Sequence, residues 1–296
     1  MNSLLAEGSL ASRKREIARL AEQICLPFRS RAWRGSSGAW QGRGQGSSID
    51  FQDHRAYAPG DDPRHLDWAA YARTNNYVMK LFREEVSPRL DVALDVSRSM
   101  ALTPEKEARS LDLLSLVLTT ALHDGISLRI FAAHSAGQWR RLDTPAAVNL
   151  SALPTFDSPR AQAGKLPLAE IPWRAGSLRV LISDLLVAQP PERELASLSR
   201  EHGRAVLLAP YLQSEAEPDW RGNLELHDCE TRQVRRQRVE PFLLSRYQKS
   251  YRRHFELWQE EARRQGVPLA RISCELSLGV VVRRQALPVG AFEVRH

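Results

Sequence analysis

Cysteine is scarce in this chain: Cys25, Cys229 and Cys274 are the three in 296 residues, far apart and without a C-x-x-C pair. That spacing suggests neither a disulfide framework nor a zinc site, so buried thiols are the simplest account. Long hydrophobic runs are missing too. The longest, around Leu111 to Leu122, is broken by Asp112 and ends at His123, short of the ~18 residues a membrane span requires. The amino terminus lacks the basic-then-apolar order of a secretory signal, because Glu7 precedes the first basic residue, Arg13. We therefore expect a cytoplasmic protein with no membrane span. A phosphate-binding loop is lacking as well. Gly42-Arg43-Gly44-Gln45-Gly46 has no Gly-Lys-Ser/Thr ending and follows no clear strand, which argues against nucleotide binding.

What is present is a 43% hydrophobic composition, enough for the core of one large α/β domain, or of one such domain with a smaller attachment. The net charge is +7 and the pI 9.6. Basic residues are interspersed with acids along the whole chain, and only Arg232, Arg235, Arg236 and Arg238 form a dense group. A mixed-sign pattern reads as solvated surface, so we expect no nucleic-acid partner.

Residues 12–26 read as an amphipathic helix with Ile17, Leu20, Ala21 and Ile24 on one face and Ser12 as its cap. A Gly/Ser-rich loop follows at 35–48. Tyr77 to Arg83 alternates as a strand, and Leu90 to Asp95 is short, β-branched and apolar, the pattern of a strand buried on both faces. Residues 104–123 return to helical character, with Pro104 at the start and Gly125 past the end. Further strands are expected at 126–133, 177–184, 204–209 and 269–274, and helices at 192–201 and 241–266. The last carries Leu244, Tyr247, Tyr251, Phe255, Trp258 and Ala262 at three- and four-residue spacing, more in keeping with core than with a binding surface. No internal repeat is visible. Alternating strands and helices predict an α/β fold, a doubly wound, mostly parallel sheet of Rossmann-like type with an N-terminal helix and an irregular or β extension. Three regions are expected: 1–48, the helix and loop; 49–86, a polar segment packed on the main domain; and 87–296, the main domain.

Asp95, Ser97 and Ser99 fall just after a buried strand, where alternate residues can present three oxygens to one point, a donor set suited to Mg²⁺ or Ca²⁺. In isolation such a string is better read as a helix-capping loop. Its position at a strand end favours a half-open oxygen site, as does a second acid, Asp184, at the end of another strand.

The Asp95-Val96-Ser97-Arg98-Ser99 loop and the Ile182-Ser183-Asp184 strand end resemble the metal-ion-dependent adhesion site of von Willebrand factor A domains. The upstream residues narrow the match. Asp50-Phe51, Arg55-Ala56-Tyr57, Pro59 through Arg64, Leu66-Asp67-Trp68, Ala72-Arg73 and Phe82-x-Glu84-Glu85 resemble the signature of the bacterial family known as domain of unknown function 58, with weaker similarity at Asp228–Thr231 and Tyr247–Trp258. The resemblance implies that 87–296 is von Willebrand factor A-like. It also implies that Ser97 and Ser99 coordinate Mg²⁺ (with Mn²⁺ or Ca²⁺ as alternatives), that Asp95 and Asp184 act directly or through water, and that a partner's carboxylate completes the site. The usual Thr ligand is not evident: the sequence reads Gly164-Lys165-Leu166-Pro167-Leu168 where it should align, and Thr144 and Thr155 are poorly placed alternatives. That departure would weaken or empty the cation site.

Gly60-Asp61-Asp62-Pro63 reads as a tight turn. His65 with the nearby acids could form a second metal or acid/base site. A polar network is favoured, with Arg55, Arg64 and Arg73 pairing Asp61, Asp62 and Asp67 and Trp68 as its apolar plug. The functional expectation is a non-enzymatic interaction module. By resemblance it would serve as adaptor or chaperone partner of a MoxR-type AAA+ ATPase acting on an unknown client. The alternative is a metal-dependent phosphoester hydrolase.

Overall fold

The computed structural model describes residues 2–28, 51–59, 61–82, 88–134, 138–143, 156 and 166–295. The chain divides into two compact units, Arg31–Ser87 and the remainder, Met1–Ser30 with Pro88–His296. Helix α1, Asn2–Gln23, begins ten residues before the Ser12 expected as its cap and buries Ile17, Leu20 and Ala21. It runs into β1, Ile24–Cys25.

In the smaller unit, β2 (Phe51–Ala56), α2 (Trp68–Thr74) and β3 (Val78–Phe82) follow in order, with β2 and β3 paired antiparallel. The Asp67 carboxylate caps α2 by accepting from Ala69 N–H and Ala70 N–H, and Asn75 ends the helix in the left-handed conformation.

In the larger unit, β4 (Arg89–Leu94) leads to α3 (Pro104–His123), then β5 (Ser127–His134), β6 (Gln138–Leu142) and β7 (Leu178–Ile182). Next come α4 (Pro191–Ser199), β8 (Arg204–Tyr211), the single turn α5 (Gln213–Ala216), and a hairpin of β9 (Gly222–His227) and β10 (Val234–Val239). The chain closes with α6 (Pro241–Arg264), β11 (Leu269–Ser273), α7 (Leu278–Val281) and β12 (Glu293–Val294), which pairs with β1.

Six strands form one sheet in the order β11-β8-β7-β4-β5-β6, parallel throughout except for β6. Successive side chains of a strand face opposite ways, so both faces of the sheet carry apolar residues. Ala93, Phe131, Leu181, Leu207 and Leu269 pack in one core cluster with Leu195 and Leu198 of α4 and Tyr251, Phe255, Trp258 and Ala262 of α6. The other face meets α3, whose Leu113, Leu114, Val117 and Ala121 are fully buried. Burial on both sides is why β4 and β7 read as mostly apolar runs, each carrying one buried charged residue, Asp91 and Arg179. Helix α3 starts where Thr103 accepts from Lys106 N–H and Pro104 takes the first turn, and it stops before Gly125 at φ +63°. Among the described residues no helix is long and apolar enough to cross a membrane.

From β4 the chain winds through α3 to β5 on one side, while from β7 it winds through α4 to β8 on the other. The direction therefore reverses between β4 and β7, and the crevice beyond their carboxyl ends is the natural ligand position of such a sheet.

Candidate functional site

Both sides of that crevice carry residues singled out in the sequence. Asp95 follows β4 and Asp184 follows β7; Asp95 N–H donates to Ile182 C=O at 2.9 Å, joining the two strand ends. Asp95, Ser97, Ser99 and Asp184 are all buried. The Ser97 and Ser99 hydroxyls lie 3.1 Å apart, and Met100, in the turn they begin, accepts from Asp184 N–H through its sulfur at 3.1 Å. The four residues are thus brought to one edge. Thr144, Thr155 and Gly164-Lys165 fall outside the described residues, whereas Leu166, Pro167 and Leu168 lead into a short turn, with Leu166 and Leu168 buried.

The first turn of α3 adds a residue that sequence reasoning passed over. Lys106 is wholly buried, and its ammonium lies 3.1 Å from Asp184 Oδ2 and 2.6 Å from Oε1 of Glu215, which stands just beyond β8. Burial alone would lower the Lys106 pKa, but the charges of Asp184 and Glu215 and their hydrogen bonds outweigh it and raise the value, so the side chain stays cationic. The second oxygen of Glu215 accepts from Leu212 N–H at 2.9 Å, which fixes the carboxylate. A signal for Lys106 did exist. It lies on the same helical stripe as Ser110, Leu113 and Val117, a position that faces the sheet.

A dication held by this edge would need free oxygens turned to a common point. Asp184 directs Oδ2 to Lys106 and Oδ1 to Leu186 N–H at 3.1 Å. Asp95 directs Oδ1 to Ser97 N–H at 3.0 Å and Oδ2 to the Ser183 hydroxyl at 2.7 Å. Among the described residues no group of three or more His, Cys, Asp and Glu side chains converges on a metal position. The residues present do not fit a divalent cation bound through Asp184, because a fixed positive charge already lies against that carboxylate.

On the other side of the loop stands a carboxylate from the same chain. Glu230, at the turn between β9 and β10, accepts from Ser99 N–H through Oε1 at 2.9 Å, and its carbonyl accepts from the Arg98 guanidinium at 2.8 Å. The turn is shaped by Asp228, whose Oδ1 accepts from Glu230 N–H and Thr231 N–H, both at 2.8 Å; these contacts hold the Asp228 pKa below the ordinary carboxylate value. The neighbouring Cys229 thiol is pushed up by burial first, then by Glu230, Asp228 and Asp184. Glu230 lies within the Asp228–Thr231 stretch that resembles the family, but nothing there marks it as a partner of the Asp95 loop, and Glu215 carries no sequence pattern; each reaches the site through tertiary placement.

In the smaller unit Arg55 pairs with Asp61 and Arg64 with Asp62, each at 2.6 Å, as the network reading expected. Asp67 instead serves α2 as its cap, and Arg73 lies exposed in the last turn of that helix. Trp68 is not the plug anticipated: it is 59% exposed at the start of α2, stacked edge-on against Tyr71.

Fold and site define an α/β domain with a hydroxyl-and-carboxylate loop at its switch point. Residues 53–135, from β2 through β5, match the family model described as "Protein of unknown function DUF58", which supports that family over the stretch containing the Asp95 loop and Lys106. No curated protein matches. Two solved structures resemble the chain. The conserved hypothetical protein BatB from Bacteroides thetaiotaomicron has TM-score 0.34 and 11% identity, over 66% of this chain and 94% of that one. An aerotolerance-related membrane protein from Bacteroides fragilis, carrying multiple mutations to serines, has TM-score 0.31 and 17% identity, over 60% and 99%.

Proposed function

We propose that the chain is a non-enzymatic protein-interaction module of von Willebrand factor A-like architecture, whose Asp95–Ser99 loop receives an acidic side chain of a partner. One observation carries this reading: the loop already holds a carboxylate, that of Glu230, on the backbone N–H of Ser99. A backbone donor at a tight turn beside two hydroxyls and the Arg98 guanidinium is a carboxylate-accepting arrangement, and hydrogen bonds to a charged group are the strong ones. Glu230 would be the chain's own occupant of that position, displaced when a partner docks. The resemblance to the family supports a cytoplasmic role beside a MoxR-type AAA+ ATPase, as adaptor or chaperone partner for a client protein.

Capture of such an ATPase from a co-expressing cell tests the idea. Asp95→Ala removes the acceptor that holds the Ser97 N–H and should cut capture roughly 10- to 100-fold, the worth of about 1.5–3 kcal/mol for a charge-assisted contact. Glu230→Ala should raise capture by freeing the Ser99 N–H. Undiminished capture by the Asp95→Ala chain would remove the loop from docking, and wild-type phosphoester turnover abolished by that change would replace this function with the hydrolase.

A further inference from the structure

We infer that the resident cation of this site is the ammonium of Lys106, and that the module works without a metal. The inference rests on reading the Asp95–Asp184 edge as an adhesion-type site, and it says what supplies that edge with positive charge. Lys106 is 0% exposed and stands in the first turn of a 20-residue helix, where the helix dipole is already positive. A buried ammonium there is costly unless carboxylates are brought to it. Two are, from separate strand ends: Asp184 after β7 at 3.1 Å and Glu215 after β8 at 2.6 Å.

Each carboxylate is held in turn by a backbone donor, Leu186 N–H for Asp184 and Leu212 N–H for Glu215. Tyr247 donates to the Glu215 carbonyl at 2.8 Å, so α6 also secures the turn that carries the acid. Such an arrangement is preorganised around one positive charge. A dication entering beside the ammonium would meet like-charge repulsion in a medium far less screening than water. The lysine thus supplies positive charge that a metal-dependent adhesion site takes from solution, and Asp184 is committed to it while the loop holds Glu230.

Manganese titration of the EDTA-stripped full chain, followed by electron paramagnetic resonance and by thermal melting, decides the matter. The wild-type chain should show no saturable Mn²⁺ uptake and no shift in melting temperature at 1 mM Mn²⁺. Lys106→Ala leaves Asp184 and Glu215 facing a cavity. It should melt lower in EDTA and recover by roughly 5 °C or more with Mn²⁺, the response expected when free metal stands near a hundredfold of its dissociation constant. Methylammonium should restore it in part. One Mn²⁺ per wild-type chain, lost in Asp184→Asn, would overturn the inference. So would a folded Lys106→Ala chain indifferent to both Mn²⁺ and methylammonium. If Lys106→Ala does not fold, the wild-type titration still decides. Neither result depends on whether a partner is captured, so a failure here is distinguishable from failure of the interaction reading.

Discussion

Asp91, near the start of β4, is fully buried, and its carboxylate collects Arg129 Nε and Nη2 at 3.0 and 2.9 Å, Arg174 N–H and Nε at 2.8 and 2.9 Å, and the Ser177 hydroxyl at 3.1 Å. It is the joint between β4, β5 and the segment entering β7, at the end of the strand away from Asp95. Asp91→Ala would leave two guanidinium groups without their counter-charge inside the fold, a loss on the order of 3–5 kcal/mol. Asp91→Asn, which keeps an acceptor, should cost less. Urea unfolding measures both, and a change below ~1 kcal/mol for the alanine variant would show that water replaces the carboxylate without penalty. The exposed Arg64–Asp62 pair, of similar length, should contribute little, because solvent screens it. The sequence placed Asp91 in a buried strand and Asp62 in a turn, but it could not show the partners that make Asp91 a joint, Arg129 and Arg174, 38 and 83 residues away.

Strands buried on both faces were legible in the sequence, because a short, mostly apolar, β-branched stretch leaves few other structures open to it. The expected 90–95, 204–209 and 269–274 became Arg89–Leu94, Arg204–Tyr211 and Leu269–Ser273. The β9–β10 hairpin was not legible. Its Leu224, Leu226 and Val234 are interspersed with charged residues, most of its side chains are exposed, and its arginines read only as a basic cluster. A two-stranded hairpin alone is marginal in water, and this one is fastened at its tip by Ser99 N–H and Arg98 on Glu230. Glu230→Ala should therefore speed amide exchange at the tip and along 222–239 while leaving β4, β7 and β8 protected. Equal protection of the hairpin in both chains would mean that the tip contacts do not hold it. The same limit hid the metal-free edge. Asp95 and Asp184 announce themselves at strand ends, whereas Lys106 and Glu215 become partners only once α3 and the turn after β8 lie across the sheet.

Across the whole molecule, two buried carboxylates pull the pH dependence of stability in opposite directions. Burial tends to raise the Asp91 pKa, but the Arg129 hydrogen bond, Arg174 N–H and the two arginine charges bring it below its ordinary value. Its contribution is therefore present above the unfolded value of about 3.9 and is lost as pH falls through the folded one. Glu194, in the first turn of α4, is pushed up from 4.5 to about 7 by burial. Above the lower value the unfolded chain ionises while the folded one holds its proton, so stability declines from about pH 4.5 to about 7 and then levels. Lys106, whose pKa is raised, keeps its charge throughout that interval. The fold should thus lose stability between pH 5 and 7 while Lys106 stays cationic. Glu194→Gln removes the ionisation, so its urea midpoint should pull ahead of the wild type's as pH rises, by an amount near ~1–2 kcal/mol after allowance for solvent at this partly screened position. Parallel midpoint curves from pH 4 to 8 would show that Glu194 titrates normally in the fold; a partner affinity that fell with the wild-type midpoint would show that the site shares its ionisation.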